Sequence, residues 1–320
     1  MRFVITGGSG QVGQILARHF HSHGQTVTVV ARSVRPQPWS TVPWDGEHLG
    51  AWVTELDGCD VVVNLAGRSV NCRYNEANRR EIKASRIATT QLVGAAIAQS
   101  SPPPKLWMNA STATIYRHAM DRPMDDITGE IGGNEPGLHS TWRFSYDVAT
   151  SWETAFFEAE TPHTRKIALR SAITMSPDRG GPFETLLNLV RLGLGGRSGS
   201  GAQFVSWIHD VDFVRALEFL IARTDLDGCI NITSPNPLPN RDFMAALRRT
   251  YGAPVGLPAT DWMLEVGAFF LRTETELILK SRRVVPTRLV DAGFGFQFPD
   301  WSSAAADLVQ RWRSNQAIPK

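Results

Sequence analysis

The start of the chain constrains the fold most, because a short apolar run leads directly into glycines at fixed spacing. Residues 3–5 form the run, and Gly7, Gly10 and Gly13 follow with GxxGxxG spacing. Apolar residues then recur at helical period from 12 to 20. Strand, tight turn and helix in this order bring backbone N–H groups and a positive helix end to one point, which suits a pyrophosphate. The sequence therefore predicts a dinucleotide site, with an ordinary strand-to-helix turn as the alternative.

The second predicted strand, Thr26–Ala31, indicates which nucleotide the site prefers. In dinucleotide-binding units an acidic residue after this strand binds the ribose 2′-hydroxyl of NAD. This chain has Arg32 and Ser33 there, with Arg35 close behind, and a guanidinium and a hydroxyl suit a 2′-phosphate. A solvated arginine at a strand end is the alternative interpretation. We therefore expect NADP as the cofactor, with NAD as the alternative.

A third buried strand is predicted at residues 60–65, where the sequence reads DVVVNL, and an Ala-Gly pair ends it. Parallel strands present their carboxyl ends at one edge of the sheet, where nucleotides bind. The residues expected to contact the cofactor are Gly7, Gly10, Gln11, Val12, Gly13, Arg32, Ser33, Leu65, Ala66 and Gly67.

Predicted strands and helices alternate along the chain, which is typical of α/β proteins. We expect a Rossmann-type doubly wound parallel sheet with right-handed crossovers and a smaller, mostly helical substrate lobe. The expected dinucleotide-binding domain comprises residues 1–170 and 208–233. The expected lobe comprises 171–207 and 234–299, and 300–320 form a C-terminal helix.

Four local expectations accompany this division. The Pro- and Trp-rich segment 36–45 is predicted to be a loop over the cofactor edge, and 49–56 a short helix. Residues 207–221 are predicted to form one helix from its opening turn onward. A further helix of the lobe is predicted at Thr260–Leu271.

Composition excludes several classes of function. The formal net charge is +2 and 42% of the residues are hydrophobic, which indicates neither a nucleic-acid nor a membrane surface. No apolar run is long enough to cross a bilayer, and no signal peptide is expected before the first strand. Three isolated cysteines lack metal-site spacing, which favours reduced thiols in a cytoplasmic protein without a metal. The expected partner is a small-molecule substrate, and the expected state is a monomer or homodimer.

Three stretches carry a family resemblance: TGGSGQVG at 6–13, NLAG at 64–67 and STATIY at 111–116. They resemble the extended branch of the short-chain dehydrogenase/reductase superfamily, which includes nucleotide-sugar epimerases and dehydratases. In that branch a hydroxyl residue of the last stretch hydrogen-bonds the substrate carbonyl. The resemblance places Thr112 in this role, with Ser111 beside it. The alternative is that these hydroxyls only satisfy backbone groups at a strand end.

The same superfamily uses a YxxxK motif on the next helix, which this chain lacks. In extended members a glutamate follows the lysine by four residues. Counting back from Glu153 puts Ala149 at the lysine position and Ser145 at the tyrosine position. Tyr146 is one residue away, which is about 100° of rotation on a helix. The standard proton-transfer pair is therefore expected to be absent.

Other groups are then needed for proton transfer and substrate contact. The candidate catalytic residues are Thr112, Tyr116 and Ser111. Thr112 is expected to orient the substrate, and Tyr116 is a weaker candidate for the acid. The candidate substrate contacts are Tyr146, Arg170 and Trp207. Core packing or pocket lining is the alternative interpretation for both tyrosines.

Further stretches narrow the resemblance. FSYDVATSWE at 144–153, KASRIATTQLV at 83–93 and RLGLGGRSGSGAQFVSWIHDVD at 191–212 resemble an atypical, poorly characterised epimerase-like subgroup without YxxxK. The resemblance to this subgroup does not supply a substrate. The expected function is that of an NADP-dependent oxidoreductase or epimerase acting on a carbonyl or hydroxyl of a small molecule, with nucleotide sugars among the candidates. The missing pair leaves a non-catalytic NADP-binding sensor or scaffold as the alternative.

Overall fold

The computed structural model describes residues 1–260, 263 and 276–317. Its central layer is a parallel sheet of seven strands. In chain order the strands are β1 (Arg2–Thr6), β2 (Thr26–Ala31), β3 (Ser40–Pro43), β4 (Val61–Asn64), β5 (Leu106–Thr112), β6 (Arg165–Ser171), β7 (Ile173–Met175), β8 (Phe204–Val205), β9 (Trp207–His209), β10 (Gly228–Ile232) and β11 (Leu238–Pro239). Strand β7 pairs with β9, and β8 pairs with β11, outside the central sheet.

Helices cover both faces of the sheet. In chain order they are α1 (Gln11–Ser22), α2 (Glu76–Gln99), α3 (Ser140–Glu158), α4 (Pro182–Arg191), α5 (Asp210–Ala222), α6 (Asn240–Tyr251), α7 (Glu276–Leu279), α8 (Thr287–Asp291) and α9 (Trp301–Ala317), with 3₁₀ turns at Ala51–Leu56 and Ala113–Ile115. Helices α1 and α5 bury apolar residues such as Leu16 and Leu217 on one face. Helices α2 and α3 bury Val93 and Phe156 on the other.

The strand order is β10-β6-β5-β4-β1-β2-β3. Strand β1 pairs with β2 on one side and with β4 on the other, so the direction of winding reverses beside β1. Dinucleotides bind outside the carboxyl ends of strands at such a switch point. Thr6 and Asn64 are paired there. The predicted doubly wound parallel sheet is confirmed.

Two local predictions are wrong, and a third lies outside the described residues. Segment 36–45, predicted as a loop, contains β3, because its β-branched residues pair with β2 at the sheet edge. Residues 207–209, predicted to open a helix, form β9, because they pair with β7 before the helix begins at Asp210. The helix predicted at Thr260–Leu271 falls largely on residues that the structure does not describe.

A second core lies outside the central sheet and joins α4, α6 and α9. Trp207 and Trp301 pack edge to face at 5.0 Å, and Phe243 stacks on Trp301 at 4.0 Å. The C-terminal helix is therefore part of this core. Within the described ranges, no helix has the length and apolar character to cross a membrane. The domain boundaries, oligomeric state and cellular location stay predictions.

Candidate functional site

In the turn after β1, neighbouring backbone packs tightly against two of the glycines and leaves space beside the third. Gly7 has a φ of +70°, and a Cβ there would lie 2.6 Å from the Cα of Ala66. A Cβ on Gly13 would lie 2.3 Å from the Cα of Gly8, so α1 packs directly on the turn. At Gly10 the nearest atom to such a Cβ is 3.8 Å away. Space therefore remains beside the N-terminus of α1, where the first N–H groups of a helix have no partner within it.

A buried hydrogen-bond network holds the strand ends together beneath this turn. Thr6 Oγ1 donates to Asn64 Oδ1 at 2.7 Å, and Asn64 Nδ2 donates to Asn109 Oδ1 at 2.7 Å. Asn64 Oδ1 also accepts the N–H of Ala66 at 3.1 Å. Buried amides stabilise a fold when their groups are paired. These bonds therefore fix the backbone at residues 65–67, which the sequence predicts to contact a cofactor.

The residues predicted to bind a 2′-phosphate lie at the adjoining strand end. Arg32 and Ser33 follow β2 directly and are exposed. The N–H of Gly7 donates to the carbonyl of Val30 at 2.8 Å, which holds the end of β2 against the glycine turn. Every residue predicted to contact the cofactor thus lies after β1, β2 or β4 or in the first turn of α1. Their roles stay predictions.

A cavity of about 260 Å³ lies at the carboxyl end of β5. Its apolar wall includes Val70, Ile82, Phe144, Val148 and Trp152. Its polar lining includes Arg86, Ser111, Thr112, Thr114 and Ser145. A larger, open depression of about 870 Å³ lies at the amino ends of β6 and β10, the edge of the sheet away from nucleotide sites. The smaller cavity is therefore the candidate substrate site.

Two of the predicted catalytic residues line this cavity in different hydrogen-bonding states. Ser111 Oγ donates to Glu153 Oε1 at 2.5 Å, so its proton is engaged. Thr112 Oγ1 accepts the N–H of Thr114 at 3.1 Å, and no residue in the described part of the chain accepts its proton. Thr112 therefore keeps a hydroxyl donor for an oxygen in the cavity.

Tyr116 and Arg170 lie behind the cavity wall in a buried network. Arg170 donates from Nε and Nη2 to the two carboxylate oxygens of Glu153, at 2.8 and 2.7 Å. Tyr116 is 1% exposed, and its hydroxyl accepts from Arg170 at 2.9 Å and donates to Asn231 at 2.9 Å. Burial raises the pKa of Tyr116 to about 12. The geometry brings neither Tyr116 nor Arg170 to the cavity, and so does not favour their predicted roles.

We expect Glu153→Gln to lower the free energy of unfolding by about 3–5 kcal/mol, because it leaves the Arg170 guanidinium buried without its carboxylate. Urea denaturation measures the change. The matched control is Asp225→Asn, which breaks the exposed Arg223–Asp225 pair and should leave the denaturation midpoint in place. Equal midpoints for the two variants would contradict the prediction.

The other two predicted substrate contacts also lie away from the cavity. Tyr146 is 2% exposed, its hydroxyl donates to Glu135 at 3.1 Å, and Lys280 Nζ lies 3.7 Å from its ring centroid. Burial and the Glu135 carboxylate raise the pKa of the Tyr146 phenol above its ordinary value. Trp207 is fully buried in the second core. Ser145, one residue before Tyr146 on α3, lines the cavity instead.

Ser145 has a buried acidic partner from a distant part of the chain. Its Oγ donates to Glu276 Oε2 at 2.5 Å, and Glu276 is 1% exposed. Arg282 Nη2 lies 4.0 Å from Glu276 Oε1, and Arg282 Nε donates to Thr114 Oγ1 at 3.1 Å. Lys280 Nζ donates to the Thr114 carbonyl at 2.6 Å, and burial lowers the pKa of Lys280 well below its ordinary value. Ionisable groups thus back the cavity wall, and no sequence motif signals them.

Comparison with known proteins identifies the family. The NAD dependent epimerase/dehydratase family matches residues 3–147, and a domain of unknown function, DUF1731, matches residues 259–308. The human epimerase family protein SDR39U1 is 31% identical over 314 residues, which cover 97% of this chain and all of that protein. The chain belongs to the NAD-dependent epimerase/dehydratase family. It is an atypical extended short-chain dehydrogenase/reductase, in which the count from Glu153 predicts Ser145 and Ala149 at the YxxxK positions.

Solved structures of this epimerase/dehydratase type share the fold. The crystal structure of human SDR39U1, isoform 2, with NADPH has a TM-score of 0.84 and 28% identity, covering 97% of this chain and 99% of that one. The nucleoside-diphosphate sugar epimerase of Corynebacterium glutamicum has a TM-score of 0.75 and 25% identity, covering 100% of this chain and 62% of that one. The present family member thus keeps the common architecture.

Proposed function

We propose that this epimerase-family chain binds NADPH along the carboxyl edge of β1, β2 and β4. The glycine turn supports this, because backbone packs tightly against Gly7 and Gly13, while space remains at Gly10 beside the positive end of α1. Arg32 and Ser33 would hold the 2′-phosphate. The NADPH in human SDR39U1, which has the same fold, supports the choice of cofactor.

The proposed activity is reversible oxidoreduction or epimerisation at a carbonyl or hydroxyl of a small molecule. Bound NADPH would supply a hydride, so the protein orients the substrate and handles one proton. The cavity with its hydroxyl groups, at the same sheet edge as the glycine turn, is the observation that carries this proposal. Thr112 would donate its free hydroxyl hydrogen to the substrate oxygen and so orient it.

Ser145 and Glu276 are proposed to move the proton that a Tyr–Lys pair moves in other extended members. In the oxidation direction, the substrate hydroxyl would give its proton to Ser145 Oγ while Ser145 gives its own proton to Glu276. In the reduction direction, the same two transfers would run backwards and end on the substrate oxygen. The 2.5 Å bond between Ser145 and Glu276 supports this assignment, because proton transfer needs groups within hydrogen-bond reach.

Replacing Arg32 with alanine is expected to weaken NADPH binding by about 10- to 150-fold, since a charge-assisted hydrogen bond contributes about 1.5–3 kcal/mol. Calorimetric titration of NADPH and NADH against both proteins measures the change. NADH lacks the 2′-phosphate, so its affinity serves as the internal control and should not move. Equal wild-type affinities for the two cofactors would rule out this role for Arg32.

Turnover tests the catalytic half of the proposal. The chain is mixed with NADPH and a panel of small aldehydes, ketones, oxo acids and nucleotide sugars, and NADPH oxidation is followed by absorbance. With an active compound, Thr112→Ala should lower turnover by about 100-fold, the loss typical of one donor to a reacting oxygen, with NADPH affinity intact. Wild-type turnover in this variant would remove Thr112 from the mechanism. NADPH binding without any turnover would favour the sensor function instead.

A further inference from the structure

Arg86 on α2 is a largely buried cation that lines the cavity and has no acidic partner in the described part of the chain. Its Nη1 donates to the carbonyls of Arg68 and Ile82, both at 2.9 Å. Its guanidinium carbon lies 5.0 Å from the ring centroid of Trp152. No carboxylate bonds to Arg86 within the described residues. Burial lowers the pKa of Arg86 to about 10, which still leaves the guanidinium charged at neutral pH.

These contacts fix the guanidinium through one nitrogen and leave its opposite edge free. Arg86 Nε and Nη2 make no hydrogen bond to any residue that the structure describes. Two adjacent N–H groups on one edge of a guanidinium match the two oxygens of a carboxylate, with two parallel hydrogen bonds. The packing against Trp152 holds the plane of this fork. Arg86 thus presents a fixed, two-pronged donor at the cavity.

The acidic side chains around Arg86 are engaged elsewhere. On α2, Glu81 pairs with Arg68, and on α3, Asp147 pairs with Lys83 at 2.8 Å. Glu276, behind the cavity wall, accepts from Ser145. Among the residues that the structure describes, no carboxylate therefore neutralises the positive charge of Arg86, which favours an anion from outside the chain.

We propose that Arg86 binds the carboxylate of a small substrate whose reacting oxygen lies at Thr112. This inference rests on the proposed function, since it names the substrate class of the same cavity. A volume of about 260 Å³ lies just below the usual range for drug-sized ligand pockets, so it suits an oxo or hydroxy acid of a few carbons. The apolar wall, which includes Val148 and Phe144, would contact the carbon skeleton between the two polar ends.

A phosphate of NADPH is the other source of anionic oxygens for this fork. The experiment therefore measures two affinities for each protein. The first compares pyruvate with pyruvamide, and 2-oxobutyrate with its amide, by ligand-detected NMR on the full chain, with and without NADP⁺. The second is the NADPH dissociation constant from calorimetry. Each acid and its amide have nearly the same shape, so their affinity ratio isolates the carboxylate charge.

Wild type is expected to bind each acid about tenfold or more tightly than its amide, the effect of a charge-assisted pair. Arg86→Gln should abolish this ratio, and Arg86→Lys should keep part of it, because an ammonium retains the charge without the fork. Both variants should keep the wild-type NADPH affinity. Arg80→Gln is the matched control, since Arg80 lies exposed on the same helix, and it should leave both affinities unchanged.

Three results would overturn the proposal. In the first, wild type binds the acids no better than their amides. In the second, the ratio survives in Arg86→Gln or, should that variant not fold, is undiminished in Arg86→Lys. In the third, the Arg86 variants lose NADPH affinity by tenfold or more and keep the acid-to-amide ratio, which assigns the fork to a cofactor phosphate. If wild type fails to bind NADPH, the proposed function fails, while the comparison without NADP⁺ still tests Arg86.

Discussion

Gly10→Val is expected to remove most NADPH binding while the chain stays folded. The backbone at Gly10 has φ −75° and ψ 170°, a conformation that valine adopts readily. A Cβ there meets nothing closer than 3.8 Å, so the first atom of the side chain fits without any shift of the protein. That room is where we place the pyrophosphate. Losing two charge-assisted hydrogen bonds corresponds to about 100-fold or more in affinity, which calorimetric titration measures.

Gly13→Val is the matched contrast, because the same side chain enters the same turn with the opposite consequence. A Cβ on Gly13 would lie 2.3 Å from the Cα of Gly8, so α1 would have to move away from the turn. We expect a lower thermal unfolding midpoint for Gly13→Val and an unchanged one for Gly10→Val. Wild-type NADPH affinity in Gly10→Val would mean that the turn does not bind the phosphates.

The contrast between these glycines shows why the structure of this turn can be predicted from the sequence. Gly7, Gly10 and Gly13 lie within one strand-turn-helix unit, so their spacing alone determines their relative positions. The parallel sheet follows from the alternation of strands and helices for the same local reason. The prediction missed edge strand β3. Ser40–Pro43 is extended because it pairs with β2, and its own composition does not indicate a strand.

The cavity is less predictable, because its decisive contacts join distant parts of the chain. Ser145 could be placed at the tyrosine position by counting along α3, but its acceptor, Glu276, lies 131 residues later. No motif marks Glu276, and its position beside Ser145 depends on how this distant part of the chain folds back against α3. Arg86 lies within a stretch that resembles a family pattern, but the sequence does not show which of its nitrogens are bonded. Only the structure shows that two carbonyls bind Nη1 and that Nε and Nη2 have no described acceptor.

Burial explains the predicted site residues that the structure places elsewhere. Tyr116 follows a hydroxyl-rich strand end, which makes it a weaker candidate for the acid, but it is 1% exposed and bonded to Arg170. Trp207 is a predicted substrate contact at the start of a predicted helix, but it packs against Trp301 in the second core. Whether an aromatic side chain faces a cavity or a core depends on tertiary packing, which cannot be inferred from the local pattern of one sequence.

Glu276→Gln is expected to lower turnover by about 100- to 10 000-fold, the range for loss of a general acid–base group. Glutamine keeps the size of the side chain and can still accept from Ser145, but it cannot take up the proton. Because Glu276 lies behind Ser145 and not at the glycine turn, NADPH affinity should be unchanged. Initial rates with an active substrate, together with NADPH titration and a thermal unfolding midpoint, separate a chemical loss from a loss of folded protein.

Variants of Ser145 provide the matched test of the same proton route. Ser145→Ala removes the hydroxyl between the cavity and Glu276 and should lower turnover as far as Glu276→Gln does, because both break one relay. The double variant should then lose no more than either single variant, since residues that act as a unit are not additive. Ser145→Thr keeps a hydroxyl and should retain most of the rate. Full turnover in Glu276→Gln, or additive losses in the double variant, would show that the proton leaves by another route.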